Sequence, residues 1–246
     1  MAKSVPFDWL VPDWPAPAHI RACVTTCSYG ESSAPFAAFN LGEHVGDALQ
    51  QVQANRQYLA DVLNCQPTWL NQVHGVGVVA ADATQTLTAD ASVTRSSGLA
   101  CCIMSADCLP VLFTDQAGTC IAAAHAGWRS LVAGVLEHTV QQMQVAPERV
   151  LAWLGPAIGP AAFEVGAEVR AAFLAQHPLA EAAFVPSHNP QRWLADIYQL
   201  ARIRLNACGV TAIYGGGLCT VTDPRFYSYR RNAVTGRFAS LVWITR

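Results

Sequence analysis

Leu99–Leu131, LACCIMSADCLPVLFTDQAGTCIAAAHAGWRSL, decides how this chain folds. The runs LPVLFTD and TCIAAAHAG are each long enough for a buried strand, and only the turn DQAG separates them. No crossover helix fits in so short a connection, so the pair predicts a hairpin. A sheet built on a hairpin is mixed or antiparallel, not doubly wound and parallel. The same stretch places two unusual groups at strand ends: Cys108 directly after Asp107, and His125 just before Gly127. Side chains where a strand hands over to a helix are where sites are usually assembled.

Upstream, Asp90 to Thr94 and Gly98 to Met104 read as short strands, and Trp69 to Val79 as a strand interrupted at His74-Gly75. Leu49, Val52, Tyr58, Leu59 and Val62 follow a helical stripe, which predicts a helix over Asp47 to Leu63 with Asp47 as N-cap. SYGESSAPFAAFNLGEHVGDA has the Gly, Ser and Pro content of a long loop, of the length that usually carries function. Ala22 to Thr26 reads as a strand. Residues 1–20 hold Pro6, Pro12, Pro15 and Pro17 and predict an irregular arm anchored by Trp9 and Trp14.

Downstream, a single helix is expected from Ser130 to just before Pro147, with Leu131, Val132, Val135, Leu136, Thr139, Val140 and Met143 on one face. Val150 to Leu154 reads as a strand, Gly166 to His177 and Ile197 to Cys208 as helices, and VTAIYGG and SLVWIT as late strands. The sum is an α/β fold with mixed sheets. No linker, repeat or low-complexity tract divides the chain, so one domain over residues 1–246 is expected.

Composition narrows the function. The 246 residues are 52% hydrophobic and 13% charged with a formal net charge of -2, which suits a core-rich globular protein and neither a nucleic-acid partner nor a membrane surface. No apolar run reaches the roughly 18 residues that a spanning helix needs. The N-terminus carries Asp8 and Asp13 among prolines and is not a signal peptide, so the expected compartment is the cytoplasm. Nine cysteines, none at CxxC spacing, argue against a disulfide framework and against a zinc ribbon. Cys101, Cys102, Cys120 and Cys208 sit in apolar runs as small core residues.

Cys108 differs, because it lies between a carboxylate and Leu109-Pro110. The Asp107 charge alone would raise a thiol, so a thiolate here needs a cation, a metal or a helix N-terminus nearby. Two histidines and a cysteine make a first shell for zinc with an open fourth position, and the same groups make a Cys-His nucleophile pair. Spacing does not choose between these, and His74 or His125 in an apolar run is equally read as a hydrogen-bonded structural residue. Arg56, Arg129 and the group Arg230, Arg231 and Arg237 read singly as surface charges. Together with the glycines of GPAIGP and HAGW they can hold an anion such as phosphate. No Walker loop or GxGxxG is present, so no nucleotide cofactor is indicated. The HxE…PCxxC signature of zinc nucleobase deaminases is also missing. Seven histidines, no two separated by a single residue, are too few for a multicopper cluster.

NQVHG, ADCLPVLF, AAAHAGW, WLGPAIGP, FEVG, LADIYQLAR and CT…FYSYRR…TGR occur in this order. Together with NLGEHVGD and the WPAP arm they resemble the YfiH family, also called DUF152 or the polyphenol oxidase/laccase domain, over nearly the whole chain. The one departure is Ser130, where the pattern usually has Gly. The resemblance implies an α/β/β/α sandwich of mixed sheets related to cysteine-dependent toxin deamidases. It also implies a zinc site, zinc rather than copper, at His74, Cys108 and His125. The activity implied is purine nucleoside phosphorylase, acting on adenosine, inosine and methylthioadenosine, with accompanying adenosine deaminase activity. The partners are then a small purine nucleoside and phosphate, with Arg56 first and Arg129 and Arg230 next as phosphate contacts, in a monomer or homodimer. A Cys-His thiol hydrolase or amidase in peptidoglycan precursor editing is the alternative, and the older laccase label fits the histidine count poorly.

Overall fold

The computed structural model describes residues 8–245. Residues 1–7 of the proline-rich arm, with Pro6, lie outside the described residues. The elements run β1 (Ile20–Val24), α1 (Leu49–Leu63), β2 (Gln66–Thr68), β3 (Leu70–Asn71), β4 (Val78–Ala80), β5 (Leu87–Thr88) and β6 (Ala91–Thr94). There follow β7 (Leu99–Ser105), β8 (Leu109–Asp115), β9 (Ile121–Ala126), α2 (Trp128–Ala133), α3 (Val135–Met143) and β10 (Val150–Leu154). The chain ends through β11 (Glu164–Gly166), α4 (Ala167–Gln176), β12 (Phe184–Pro186), β13 (Arg192–Ala195), α5 (Ile197–Ala207), β14 (Ala212–Gly215) and β15 (Phe238–Ile244).

β8 and β9 form the expected antiparallel hairpin, Leu109 opposite Ala126 and Thr114 opposite Ile121. They are the middle of a six-stranded sheet, β14-β10-β8-β9-β6-β4, in which the β4–β6 and β10–β14 pairs are parallel and the rest antiparallel. β7 belongs to a different sheet, β1-β15-β7-β2, again mixed. The chain therefore changes sheets across Ala106, Asp107 and Cys108.

Alternation along β7 shows how the two sheets stack. Cys101 and Ile103 pack with Leu112, Ile121, Ala123, Phe238 and Val242 between the sheets. Cys102 and Met104 point the other way, into a layer with Leu59, Val62 and Leu63 of α1. The outer face of the six-stranded sheet buries Val111, Phe113, Ala122 and Ala124 against Leu131, Val135, Leu136 and Val140 of α2 and α3 and Leu200, Ala201 and Leu205 of α5. The layers are α/β/β/α, and strands covered on both faces read as continuous apolar runs for that reason. Each such Leu, Ile or Phe contributes about 1.5–3 kcal/mol by leaving water.

Three local expectations are corrected. α1 starts at Leu49 with Ala48 as N-cap and no side-chain cap. Asp47 instead accepts hydrogen bonds from the Ala48 N–H and from Asn40 Nδ2. Leu49 is 53% exposed, and the buried face of the helix runs through Val52, Asn55, Leu59 and Val62. The helix expected from Ser130 is two helices, because Gly134 takes φ +101°, a left-handed conformation that stops α2 and reorients α3. The small sheet β11-β13-β12 is present where no strand was expected. The long loop over residues 28–48 contains one short 3-10 turn, Glu43–Val45, and is tied to α1 by buried Asn55. Its side chain accepts from the Glu31 N–H at 2.8 Å and donates to the Asn40 carbonyl at 2.9 Å.

Candidate active site

His74, Cys108 and His125 come together at one end of the two-sheet stack. His125 is near the end of β9, where Gly127 turns the chain into α2. Cys108 is the last residue of the sheet-changing turn, and His74 sits in the turn after β3 with φ +60°. Cys108 Sγ and His74 Nε2 are 3.7 Å apart, the two imidazole rings meet edge-on with centroids 4.8 Å apart, and one donor atom from each residue lies within 4.8 Å of the others. Gly127 makes this approach possible. A Cβ there would stand 2.8 Å from His74 Cδ2 and 3.1 Å from Cys108 Sγ.

Asp90, which the sequence presented only as the start of a strand, organises the trio. Its side chain is fully buried and accepts the His125 Nδ1–H at 2.9 Å. It also accepts the backbone N–H groups of Val73 at 3.2 Å, His74 at 2.9 Å and Gly75 at 2.6 Å. One carboxylate thus turns His125 so that Nε2 faces Cys108, and it holds the strained His74 turn, whose left-handed backbone costs about 1–2 kcal/mol. The available signal was a carboxylate opening the strand that flanks the one bearing His125.

Asp107, with φ +97°, does something else. Its carboxylate accepts from Thr220 Oγ1 and from the Arg230 backbone N–H, both at 2.6 Å, and its carbonyl accepts from the Ile158 N–H at 2.9 Å. It pins the turn to later segments of the chain and leaves the two histidines of the trio to Asp90. Burial pushes the Cys108 thiol up, but the adjacent His125 and His74 imidazoles bring it down to about 6. Burial pushes His125 down, and the Cys108 thiolate and Asp90 carry it up to about 9. The trio is electrostatically a thiolate beside an imidazolium.

The donor set fits a zinc-like ion. Tetrahedral zinc with sulfur at about 2.3 Å and nitrogen at about 2.0–2.1 Å sets such ligands roughly 3.5 Å apart, as the Cys108–His74 separation is. Orientation of a ligand histidine by a carboxylate on its other nitrogen is the usual support of such sites. Among the described residues no other group of three or more such side chains is placed to hold a metal ion.

Residues 21–245 match the family described as multi-copper polyphenol oxidoreductase laccase. The chain belongs to that family. Within it, a purine nucleoside phosphorylase from Pseudomonas aeruginosa is 63% identical over 237 residues, 96% of this chain and 98% of the relative. The purine nucleoside phosphorylase YfiH from Escherichia coli is 51% identical over 240 residues, with the same coverage. The crystal structure of the Neisseria meningitidis DUF152 protein NMB0706 superposes with a TM-score of 0.94 at 46% identity, covering 97% of this chain and all of that one. The resemblance read from the motifs and the mixed-sheet sandwich both hold.

The laccase-family trio opens on a cavity of about 460 Å³. Ile158, Phe163, Ile197, Trp128 and Tyr229 give it apolar and aromatic surface; Gln72, His44, Arg129, Arg230 and Arg237 give it polar and cationic groups. Of the three expected phosphate contacts, Arg129 and Arg230 line the cavity and Arg56 does not. Arg56 pairs with Glu43 at 3.0 Å, donates to the Leu41 carbonyl and stacks over Trp69, holding the long loop to α1. Arg231 is spent on the carbonyls of Thr220, Val221 and Phe226. Among the described residues no helix is long and apolar enough to cross a membrane.

Proposed function

We propose that the chain is a purine nucleoside phosphorylase acting on adenosine, inosine and methylthioadenosine, with adenosine deaminase activity at the same site. The observation that carries this is the His74–Cys108–His125 cluster on a cavity lined by apolar and cationic side chains, in a chain whose relatives named for that activity match it over 96% of its length. In the reaction a phosphate oxygen bonds to C1′ as the C1′–N9 bond breaks. The electron pair leaves on the purine, which takes the proton that phosphate gives up. Free base and ribose 1-phosphate result. In deamination a water oxygen bonds to C6 as the C6–N bond breaks, leaving the 6-oxopurine and ammonia.

His74, Cys108 and His125 would hold one zinc ion, which when bound supplies Lewis acidity at the reacting centre. The chain's own groups do the rest. Phe163, Ile158, Ile197 and Tyr229 offer the purine a dry face. Arg129 and Arg230 put positive charge at the mouth, where phosphate enters. Asp90 keeps the His125 ring from turning. One thiolate and two imidazoles serve a single ion, and that favours phosphorolysis over the multicopper oxidation in the family's description. In this reading the protein is a single domain, cytoplasmic, a monomer or homodimer, and it uses zinc rather than copper.

The Cys108–His125 pair also favours a second reading, a thiol hydrolase with Cys108 as nucleophile. Incubation with inosine and phosphate separates the two. Hypoxanthine should appear only with phosphate present, stop with a strong chelator, return with zinc, and fall by at least about a thousandfold in Cys108→Ala. No hypoxanthine above the Cys108→Ala control sinks the phosphorylase. Turnover that survives chelation moves the assignment to the thiol hydrolase.

A further inference from the structure

The cations around the cavity are not equally free. Arg230 donates through Nη1 and Nη2 to the carbonyls of Ala162 and Glu164, at 3.0 and 3.2 Å. Arg129 is exposed, with its guanidinium over the Trp128 ring at 4.4 Å. Arg237 is half-buried on the cavity wall, one residue before β15. Its Nη1 donates to the carbonyls of Thr235 and Gly236, and neither Nε nor Nη2 meets a protein acceptor among the described residues. No carboxylate there comes within ion-pair distance of it. Burial disfavours its charge, and Cys108 and Asp107 offset this only through space, without an ion-pair contact, so the guanidinium is incompletely compensated until an anion arrives.

The position is built. The Arg237 N–H is held by Asn40 Oδ1 at 2.8 Å, and the same oxygen takes the Gly42 N–H at 2.9 Å. Only glycine lets the Arg237 stem pass so close: a Cβ at Gly42 would stand 2.9 Å from Arg237 Cγ. Two residues on, His44 lines the same cavity. Burial and the Arg237 and Arg56 guanidiniums hold its imidazole below the usual range, so at neutral pH it is an uncharged ring with one N–H to donate. Forked guanidinium donors with an adjacent N–H suit a tetrahedral oxyanion.

We propose that Arg237, with His44 beside it, seats the inorganic phosphate co-substrate. The exposed Arg129 and Arg230 then serve the mouth, and the anion is held further in, at the half-buried Arg237. The assignment rests on the phosphorylase reading. The same chemistry would also suit the 5′-phosphate of a nucleotide.

Calorimetric titration of inorganic phosphate, without nucleoside, into the metal-loaded wild type, Arg237→Gln and Arg237→Lys reads the subsite directly, and steady-state phosphorolysis of inosine reads its use. Arg237→Gln should weaken phosphate binding and raise KM for phosphate by about 10- to 100-fold, the range for a charged hydrogen-bonding group. KM for inosine should stay within about threefold, because a lost anion contact leaves the base side intact. Metal content should not change. Arg237→Lys keeps the charge and loses the fork, so it should recover part of the affinity, and it stands in if the Gln variant does not fold. The proposal is overturned if wild type binds no phosphate or if Arg237→Gln binds it as tightly as wild type. It is also overturned if adenosine 5′-monophosphate affinity falls in the variant while phosphate affinity does not. Phosphate binding that depends on Arg237 in a protein without phosphorolysis would defeat the reaction and leave the subsite standing.

Discussion

Cys101 and Cys102 in the middle of β7, and Cys108 in the turn that follows it, carry the same side chain into two different environments. The first pair is sealed between layers. Burial pushes Cys101 up to about 12 and Cys102 higher still, so both are small hydrophobes. Cys108, half-buried on the cavity wall, is also pushed up by desolvation, yet it is brought below neutral by two imidazoles that arrive from other elements. Burial alone silences a thiol; burial beside a fixed cation activates it. Asp90, a residue of neither strand, fixes that cation by holding His125 in place.

The comparison breaks most visibly at Asp90. Asp90→Asn removes the charge that orients His125 and weakens the hold on the His74 turn. Zinc affinity, measured by competition with a chelating dye, should fall about 10- to 100-fold, with activity following. Zinc affinity within error of wild type would show that Cys108 and its histidines are placed without it.

Alkylation sharpens the contrast next. In metal-free protein Cys108 is thiolate above about pH 6 and thiol below it. Its rate with iodoacetamide should be flat from pH 7 to 9 and fall about tenfold for each pH unit below 6, since only thiolate reacts. An ordinary thiol would still be gaining rate between pH 7 and 9. Cys101 and Cys102 should stay unlabelled across that range, as mass spectrometry of the digested protein would show. A Cys108 rate still rising at pH 9 would contradict the electrostatics drawn here.

The smallest effect is expected at Cys102→Ala. It should cost about 1 kcal/mol of stability in urea denaturation, for the small volume lost between β7 and α1. Phosphorolysis should be unchanged. A large loss of activity would mean that the interior of β7 couples to the turn.

The parts of the molecule legible as sequence are those where one physical cause dominates. Two-sided burial wrote β7, β8, β9 and β10 as apolar runs, and the short DQAG turn gave the hairpin. Cys108 and His125 were legible because they stand at strand ends, and His74 joined them only through the motif resemblance. What stayed hidden depends on contacts distant along the chain. Asp90 looks like any strand-opening carboxylate until β9 lies beside it. Arg56 reads as an unpaired cation until Glu43 and Trp69 engage it. Asp47 has cap chemistry, but Asn40 and a later helix start take it elsewhere. Gly134 splits a stripe that periodicity alone would run straight through.

The change of sheets across Ala106, Asp107 and Cys108 also sets the order in which the site can come into being. β7 pairs with β15, Ser105 opposite Phe238, while Leu109 begins pairing with β9. Asp107 waits for Thr220 and Arg230. All three donors are therefore in hand by residue 125, but the thiol is not locked in place until residues 220–244 have docked. A ribosome-bound chain should hold metal loosely and exchange it freely, and tight capture would report that the two sheets have closed on each other.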